Sequence, residues 1–334
     1  MKEVTKNEFM QVIEETRLFL KENSEWRDRY AGYAEEILDN IPTIKDVRSS
    51  FREWSPLKIY LTITQAKKAK YSVTFNLRYL GQRVADLTGN IKEGLKLSTK
   101  GYENNLNYFD CNIRFSAADW LGEDAKRFRM FFKNRKGLRS ADAKRRNEEH
   151  RLESLLLTEF SKTKNKKLRY IKPVTIGRVR FSMPTPISAS DHTALGYNSK
   201  YRGAIDILAR TGMGGKATHL CIMELKDENN KREPPKDVVK QALAYATFIR
   251  ELLRSDAGVK WWELFGFGGE RVPEPLELYA TCVMRSNDNN DYSFGNMELN
   301  IEKDTIKLHY IYYFPEEDDK IKIKPGDATI GVVE

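Results

Sequence analysis

Between residues 141 and 284 the spacing of apolar side chains changes period in a fixed order, and that order limits the folds open to the chain. Leu152, Leu155, Leu156 and Phe160 share one side of a helix predicted over 141–163. Alternation with a period of two follows in Val174–Phe181, Tyr201–Ala209 and Thr218–Lys226, which reads as three strands. A second helix is predicted over 236–254, with Pro234 and Pro235 just ahead of it. Proline is tolerated in a first helical turn, where its missing N–H bonds to nothing. Leu276–Met284 and Thr305–Phe314 then return to strand character. Helix, three strands, helix, strand describes a sheet layered with helices, an α/β core.

The residues before this segment have a different texture. Helical spacing is predicted over 5–22, where Phe9, Val12, Ile13, Leu18 and Phe19 recur, and over 25–40. Strands are predicted at 57–63, 71–79, 83–87 and 95–99, with a tight turn at Gly81, and a further helix carries Trp120, Phe128, Phe131 and Phe132. Gly137 and the polar run to Asn147 mark a boundary. The expected organisation is an α+β N-terminal domain, residues 1–135, that selects a target or partner, followed by a second domain, 136–334. The whole is α/β in its core and α+β overall.

Composition removes several classes. The chain has 334 residues, 40% hydrophobic and 31% charged, enough apolar material to bury a core. No apolar run approaches the roughly 18–20 residues of a membrane span, and the charged N-terminus lacks a signal peptide's apolar centre. A cytoplasmic protein without membrane contact is expected. Cys111, Cys221 and Cys282 are far apart, which disfavours a zinc or iron–sulfur site and a disulfide framework. The net charge is +9, yet residues 126–172 alone hold 17 Lys/Arg against 5 Asp/Glu. Such a stretch can attract a polyanion by counterion release, or can simply be a solvated helix face.

Chemistry is concentrated where the predicted strands end. Asp206 lies in the C-terminal half of the second strand, and Glu224 and Lys226 close the third. Residues two apart in a strand share a face, so a carboxylate and an ammonium stand side by side. A carboxylate there can ligate a divalent metal, and the lysine can orient a water or stabilise charge on phosphorus. If the two strands pair, Asp206 reaches the same metal. Gln241 and Tyr245, four apart on the following helix, share a face and can bond a phosphate or its backbone. Each part also has an ordinary reading: an edge-strand ion pair, a helix face packed on the sheet, a turn cap.

Taken together these residues resemble the PD-(D/E)xK nuclease superfamily, the restriction-endonuclease-like fold. The resemblance covers roughly 141–284. It implies an αβββαβ core with a mixed central sheet. It matches Asp206 to the first half-motif, Glu224 and Lys226 to the second, and Gln241 and Tyr245 to the Q-x-x-x-Y extension of the RecB-type branch. Ile205 stands where the family commonly has proline. The family also places a glutamate on the first helix. Glu149, Glu153 and Glu159 are the candidates; helical phase does not separate the first two, and Glu153, one turn before Leu156, is preferred. The cysteine cluster of iron–sulfur members is absent from the sequence.

The resemblance implies a Mg²⁺- or Mn²⁺-dependent deoxyribonuclease acting in restriction, phage defence or repair. Asp206 and Glu224 would hold metal, Glu153 a metal-bound water, and Gln241 and Tyr245 the DNA strand. Double-strand cutting by a single-site fold often needs two copies, so a homodimer is expected. The rival readings are an inactive nuclease-like module that binds DNA or assembles with partners, and a protein whose basic face meets another protein. His192, in a Pro/Ser-rich loop, reads as a solvated histidine. Gly212-x-Gly214-Gly215 reads as a hairpin connection, and Trp261-Trp262 as packing under the second helix.

Overall fold

The computed structural model describes residues 2–51, 56–63, 73–90, 94–105, 107–115, 122–134, 144–160, 171–189, 196–197, 203–212, 218–226, 233–288, 290–316 and 320–323. Its elements, in chain order, are α1 (Lys2–Glu22), α2 (Trp26–Phe51), β1 (Lys58–Thr62), β2 (Val73–Tyr79), β3 (Gln82–Asn90), β4 (Gly94–Ser98), β5 (Asn112–Phe115), α3 (Glu123–Asn134) and α4 (Lys144–Phe160). Short strands follow: β6 (Lys172–Pro173), β7 (Thr175–Ile176), β8 (Val179–Phe181), β9 (Pro184–Thr185), β10 (Ile187–Ser188), β11 (Gly196–Tyr197) and β12 (Gly203–Ala204). The chain continues with β13 (Ile207–Thr211), β14 (His219–Leu225), α5 (Pro235–Leu253), α6 (Gly258–Leu264), β15 (Glu277–Arg285), β16 (Glu298–Ile301), β17 (Asp304–Glu316) and β18 (Lys320–Ile323). The protein is therefore mixed α and β. No helix among the described residues is long and apolar enough to cross a membrane.

Two compact units result, and neither is a continuous stretch of chain. One comprises 1–32, 155–174 and 183–334; the other comprises 33–154 and 175–182. This departs from the expected division at 135/136. The reason lies in the aromatic residues of the N-terminus. Phe248 of α5 packs edge-on against Trp26 and Tyr30, the Trp261 indole N–H donates to the Tyr30 carbonyl at 3.0 Å, and Phe9 meets Phe294. These rings are almost wholly buried, so residues 1–32 supply core to the unit that contains α5.

In that unit the sheet runs β16-β17-β15-β14-β13-β6, with β18 also on β17. The three inner strands β14, β15 and β17 are parallel, whereas β13, β6, β16 and β18 pair antiparallel. Strands buried on both faces read as continuous apolar runs, and β14 and β15 are of that kind. The sheet is mixed, as expected, and its strands β6, β13 and β14 precede α5 in the chain while β15 follows it. Its first strand, however, is Lys172–Pro173. The Val174–Phe181 alternation is split by a Gly177-Arg178 turn, with φ of +57° and +68°, into β7 and β8. Those two strands extend the sheet of the other unit, where β8 runs parallel to β1. The Tyr201–Ala209 alternation is likewise broken, because β12 pairs with β9 and β13 with β14.

The second unit is built on the sheet β5-β4-β3-β2-β1-β8-β7. Phe75, Leu77, Leu87 and Leu97 are buried on one face of it, while Tyr79 packs against Phe132 of α3. The β2–β3 hairpin closes through Leu80 and Gly81, with φ of +50° and +82°. Two left-handed residues are what a two-residue turn needs to match strand twist. A Cβ on Gly81 would also lie 2.3 Å from the His150 carbonyl oxygen of α4. Gly81→Ala is therefore expected to cost about 2–4 kcal/mol through backbone strain and displacement of α4, read as a lower midpoint in urea denaturation.

Candidate active site

The bend that separates β12 from β13 falls at Ile205–Asp206 and sets the position of the aspartate. Asp206 stands just before β13, not within the strand as its sequence pattern predicts. Because β13 is antiparallel to β14, with Ile207 opposite Met223, the start of β13 lies beside the end of β14. Asp206 Oδ2 accepts the Leu225 N–H at 2.8 Å, which fixes the carboxylate against the strand end.

Glu224 and Lys226 emerge on one face there, as their spacing requires. Lys226 Nζ lies 3.0 Å from Glu224 Oε1, and both residues are buried. The Lys226 N–H continues the parallel ladder by donating to the Val283 carbonyl at 3.0 Å, so the lysine backbone is anchored too. A buried ion pair of this kind is poor value for stability, since desolvation offsets most of its attraction. Its position at a strand end beside Asp206 fits a chemical role.

From the other side, α5 contributes Gln241 and Tyr245. Pro235 starts this helix in the first turn, as the sequence indicates. The Tyr245 hydroxyl oxygen accepts the Ala189 N–H at 3.3 Å. Burial, then the charge of Glu224, pushes the Tyr245 pKa far up, so the phenol keeps its proton; Asp206 and Lys226 also act on it. Gln241 is buried, and its Nε2 donates to Glu233 Oε1 at 3.5 Å. Gln241 Oε1 is buried and accepts no hydrogen bond among the described residues.

Glu233 is the residue that sequence reasoning passed over. Its Oε2 lies 3.7 Å from Lys226 Nζ, so it touches both the lysine and the glutamine. It sits in the polar segment before α5, and the adjoining prolines are the only signal that could have placed it near the sheet. Glu153 belongs to the second unit, buried, with Arg78 Nη1 at 3.2 Å and His150 Nδ1 at 3.5 Å. The Arg78 guanidinium stacks 3.9 Å from the Tyr60 ring centre, so a structural arginine accounts for the burial of Glu153. Glu149 lies in the same unit as Glu153, whereas Glu159 lies in the unit of α5. His192, much of 126–172 and the centre of the β13–β14 connection lie outside the described residues.

Among the described residues no three His, Cys, Asp or Glu side chains gather as a metal-binding group. The donor set at the strand ends is thus two carboxylates, Asp206 and Glu224. Mg²⁺ commonly takes one or two protein carboxylates and keeps several waters, so two suffice chemically. The buried Gln241 oxygen needs a donor, which a metal-bound water or a substrate hydroxyl would supply. The three cysteines are buried, and burial raises the thiol pKa of Cys111 to about 11 and of Cys221 to about 12, so they stay protonated and unsuited to ligation. No protein-family model, curated protein or solved structure matches the chain with significance.

Proposed function

We propose that the protein is a metal-dependent deoxyribonuclease of the PD-(D/E)xK kind, serving DNA restriction, phage defence or repair. The observation that carries this reading is the meeting of Asp206, Glu224 and Lys226 at neighbouring strand ends, with Gln241 and Tyr245 supplied by the next helix. Asp206 and Glu224 would hold Mg²⁺ or Mn²⁺, which when bound supplies an activated water and positive charge beside the phosphate. Lys226 lies beside Glu224 and Glu233, and its ammonium would orient the attacking water or meet charge developing on a non-bridging oxygen. Gln241 and the protonated Tyr245 bind and orient polar groups of the strand.

One observation favours the other reading, a nuclease-like module that binds DNA without cutting it. The lysine is paired to Glu224, one of only two ligating carboxylates, and no third gathers among the described residues. Incubation with circular and linear DNA, with Mg²⁺ or Mn²⁺ and with EDTA, separates the two. Metal-dependent cutting that EDTA abolishes is expected, and nicking of the circle identifies an endonuclease. Intact DNA affinity with no cutting and no calorimetric metal binding would leave the module.

A further inference from the structure

A second feature of the same sheet lies away from the carboxylates. Arg210 of β13 pairs directly with Lys172 of β6. Opposed residues on antiparallel strands share a face, and like charges placed so repel each other unless an anion intervenes. Neither cation meets a carboxylate among the described residues. Arg210 donates through Nη1 to the Gly266 carbonyl, its guanidinium lies 5.9 Å from the Phe267 ring centre, and its buried Nε meets no acceptor among the described residues. The Phe267 ring in turn stacks on Trp262 at 3.8 Å, which makes a firm wall. Gly266 is shaped to admit the arginine: its φ is +87°, and a Cβ there would stand 2.7 Å from Arg210 Nη1. Burial lowers the Arg210 pKa with no carboxylate opposing it, yet guanidinium remains charged.

We propose that Arg210 and Lys172 form a phosphate-binding site that grips the backbone of the strand to be cut; the phosphate site stands by itself, whereas the strand rests on the nuclease reading. Arginine's planar fork suits phosphate oxygens, and a lysine adds a mobile point charge. Arg210 is opposite Leu220, an even number of residues from Glu224, so Arg210 and Glu224 share a face of the sheet. Four residues of chain place Arg210 at most about 14 Å from Asp206. Phosphates on one duplex strand recur about every 3.4 Å of axis and lie farther apart than that in space, so the gripped phosphate lies within about four nucleotides of the scissile one.

Fluorescence anisotropy of a labelled duplex in EDTA reads binding without metal-dependent cutting. Arg210→Ala is expected to weaken binding about tenfold, Lys172→Ala about threefold, and each to lower the salt slope by about one. Lys172 is exposed on an edge strand, so its variant tests the site even if Arg210→Ala fails to fold. Calorimetry with inorganic phosphate distinguishes the sources. Phosphate binding that Lys172→Ala weakens, in a protein without duplex affinity, assigns the site to free phosphate and overturns its role on the strand. Unchanged binding of both duplex and phosphate in the folded variants overturns the proposal entirely. Cleavage is scored apart: a wild-type protein that binds duplex through Arg210 but never cuts refutes the nuclease and leaves this site intact.

Discussion

Asp206→Ala is expected to lower DNA cleavage by at least two to three orders of magnitude, with duplex affinity in EDTA little changed. The carboxylate is one of the two that would hold the metal on the proposed reading, so its loss would remove half of that pair. The same substitution removes the acceptor of the Leu225 N–H and costs about 1 kcal/mol of stability. Asp206→Asn separates these effects, because the amide oxygen still accepts that hydrogen bond while the charge is gone. Both variants should be inactive, and the asparagine variant should melt close to wild type. Lys226→Ala should also be inactive, because it removes the ammonium that lies beside Glu224 and Glu233. A gel assay showing wild-type turnover in Asp206→Ala or Lys226→Ala would end the assignment.

The largest effect on stability is expected at the far end of α5. Asp304 is buried and receives Arg250 Nε at 2.8 Å, Arg254 Nε at 2.9 Å and the Leu276 N–H at 2.9 Å. Arg250 also reaches Glu251 and Glu302 at 2.7 Å each, and Arg17 of α1 joins the same acids. This network ties the end of α5 to the β16–β17 turn and to α1. Asp304→Asn removes the most deeply buried of the three acids that Arg250 meets, and the acid that Arg254 meets, and breaking these buried pairs costs about 3–5 kcal/mol. The midpoint of thermal unfolding should fall by on the order of 10 °C.

Acid should have a related effect on the unsubstituted protein. Burial alone would raise the Asp304 pKa, but Arg254, the Leu276 N–H and Arg250 together hold it below the ordinary aspartate value. A carboxyl depressed in the folded state stabilises fully above its unfolded pKa of about 3.9 and progressively less below it. Stability of the wild type should therefore drop below about pH 4, and Asp304→Asn should lack that component of the drop. Chemical denaturation at several pH values would show the same slope in both proteins if the network were unimportant.

Much of the architecture could be read from periodicity, for reasons the elements make plain. The α5 helix announces itself by two prolines and a broad apolar stripe, and β14 and β15 by continuous apolar runs. The pair Glu224–Lys226 follows from strand alternation once β14 is recognised. Alternation could not reveal breaks of backbone direction inside a seemingly single strand. The turn at Gly177-Arg178 and the bend at Asp206 keep the pattern of side chains while changing the pairing partner. Glu233 escaped because a polar segment before a helix gives no sign of where it folds back. Glu153 was legible as a helix carboxylate, but its partner Arg78 is 75 residues away in sequence, beyond the reach of local pattern.

The discontinuous make-up of the α5 unit has a consequence for biosynthesis. Residues 1–32 leave the ribosome well before α5, and their packing partners Phe248 and Trp261 are made more than 200 residues later. Until then Trp26, Tyr30 and Phe9 are apolar surface awaiting cover, which is the condition that invites chaperones and aggregation. A shortened gene that begins at residue 136 omits those rings altogether and leaves the matching side of α5 bare. Recombinant production of the α5 unit therefore calls for residues 1–32 to be kept, by co-expression or by a circularly permuted gene that joins them to the C-terminal segment.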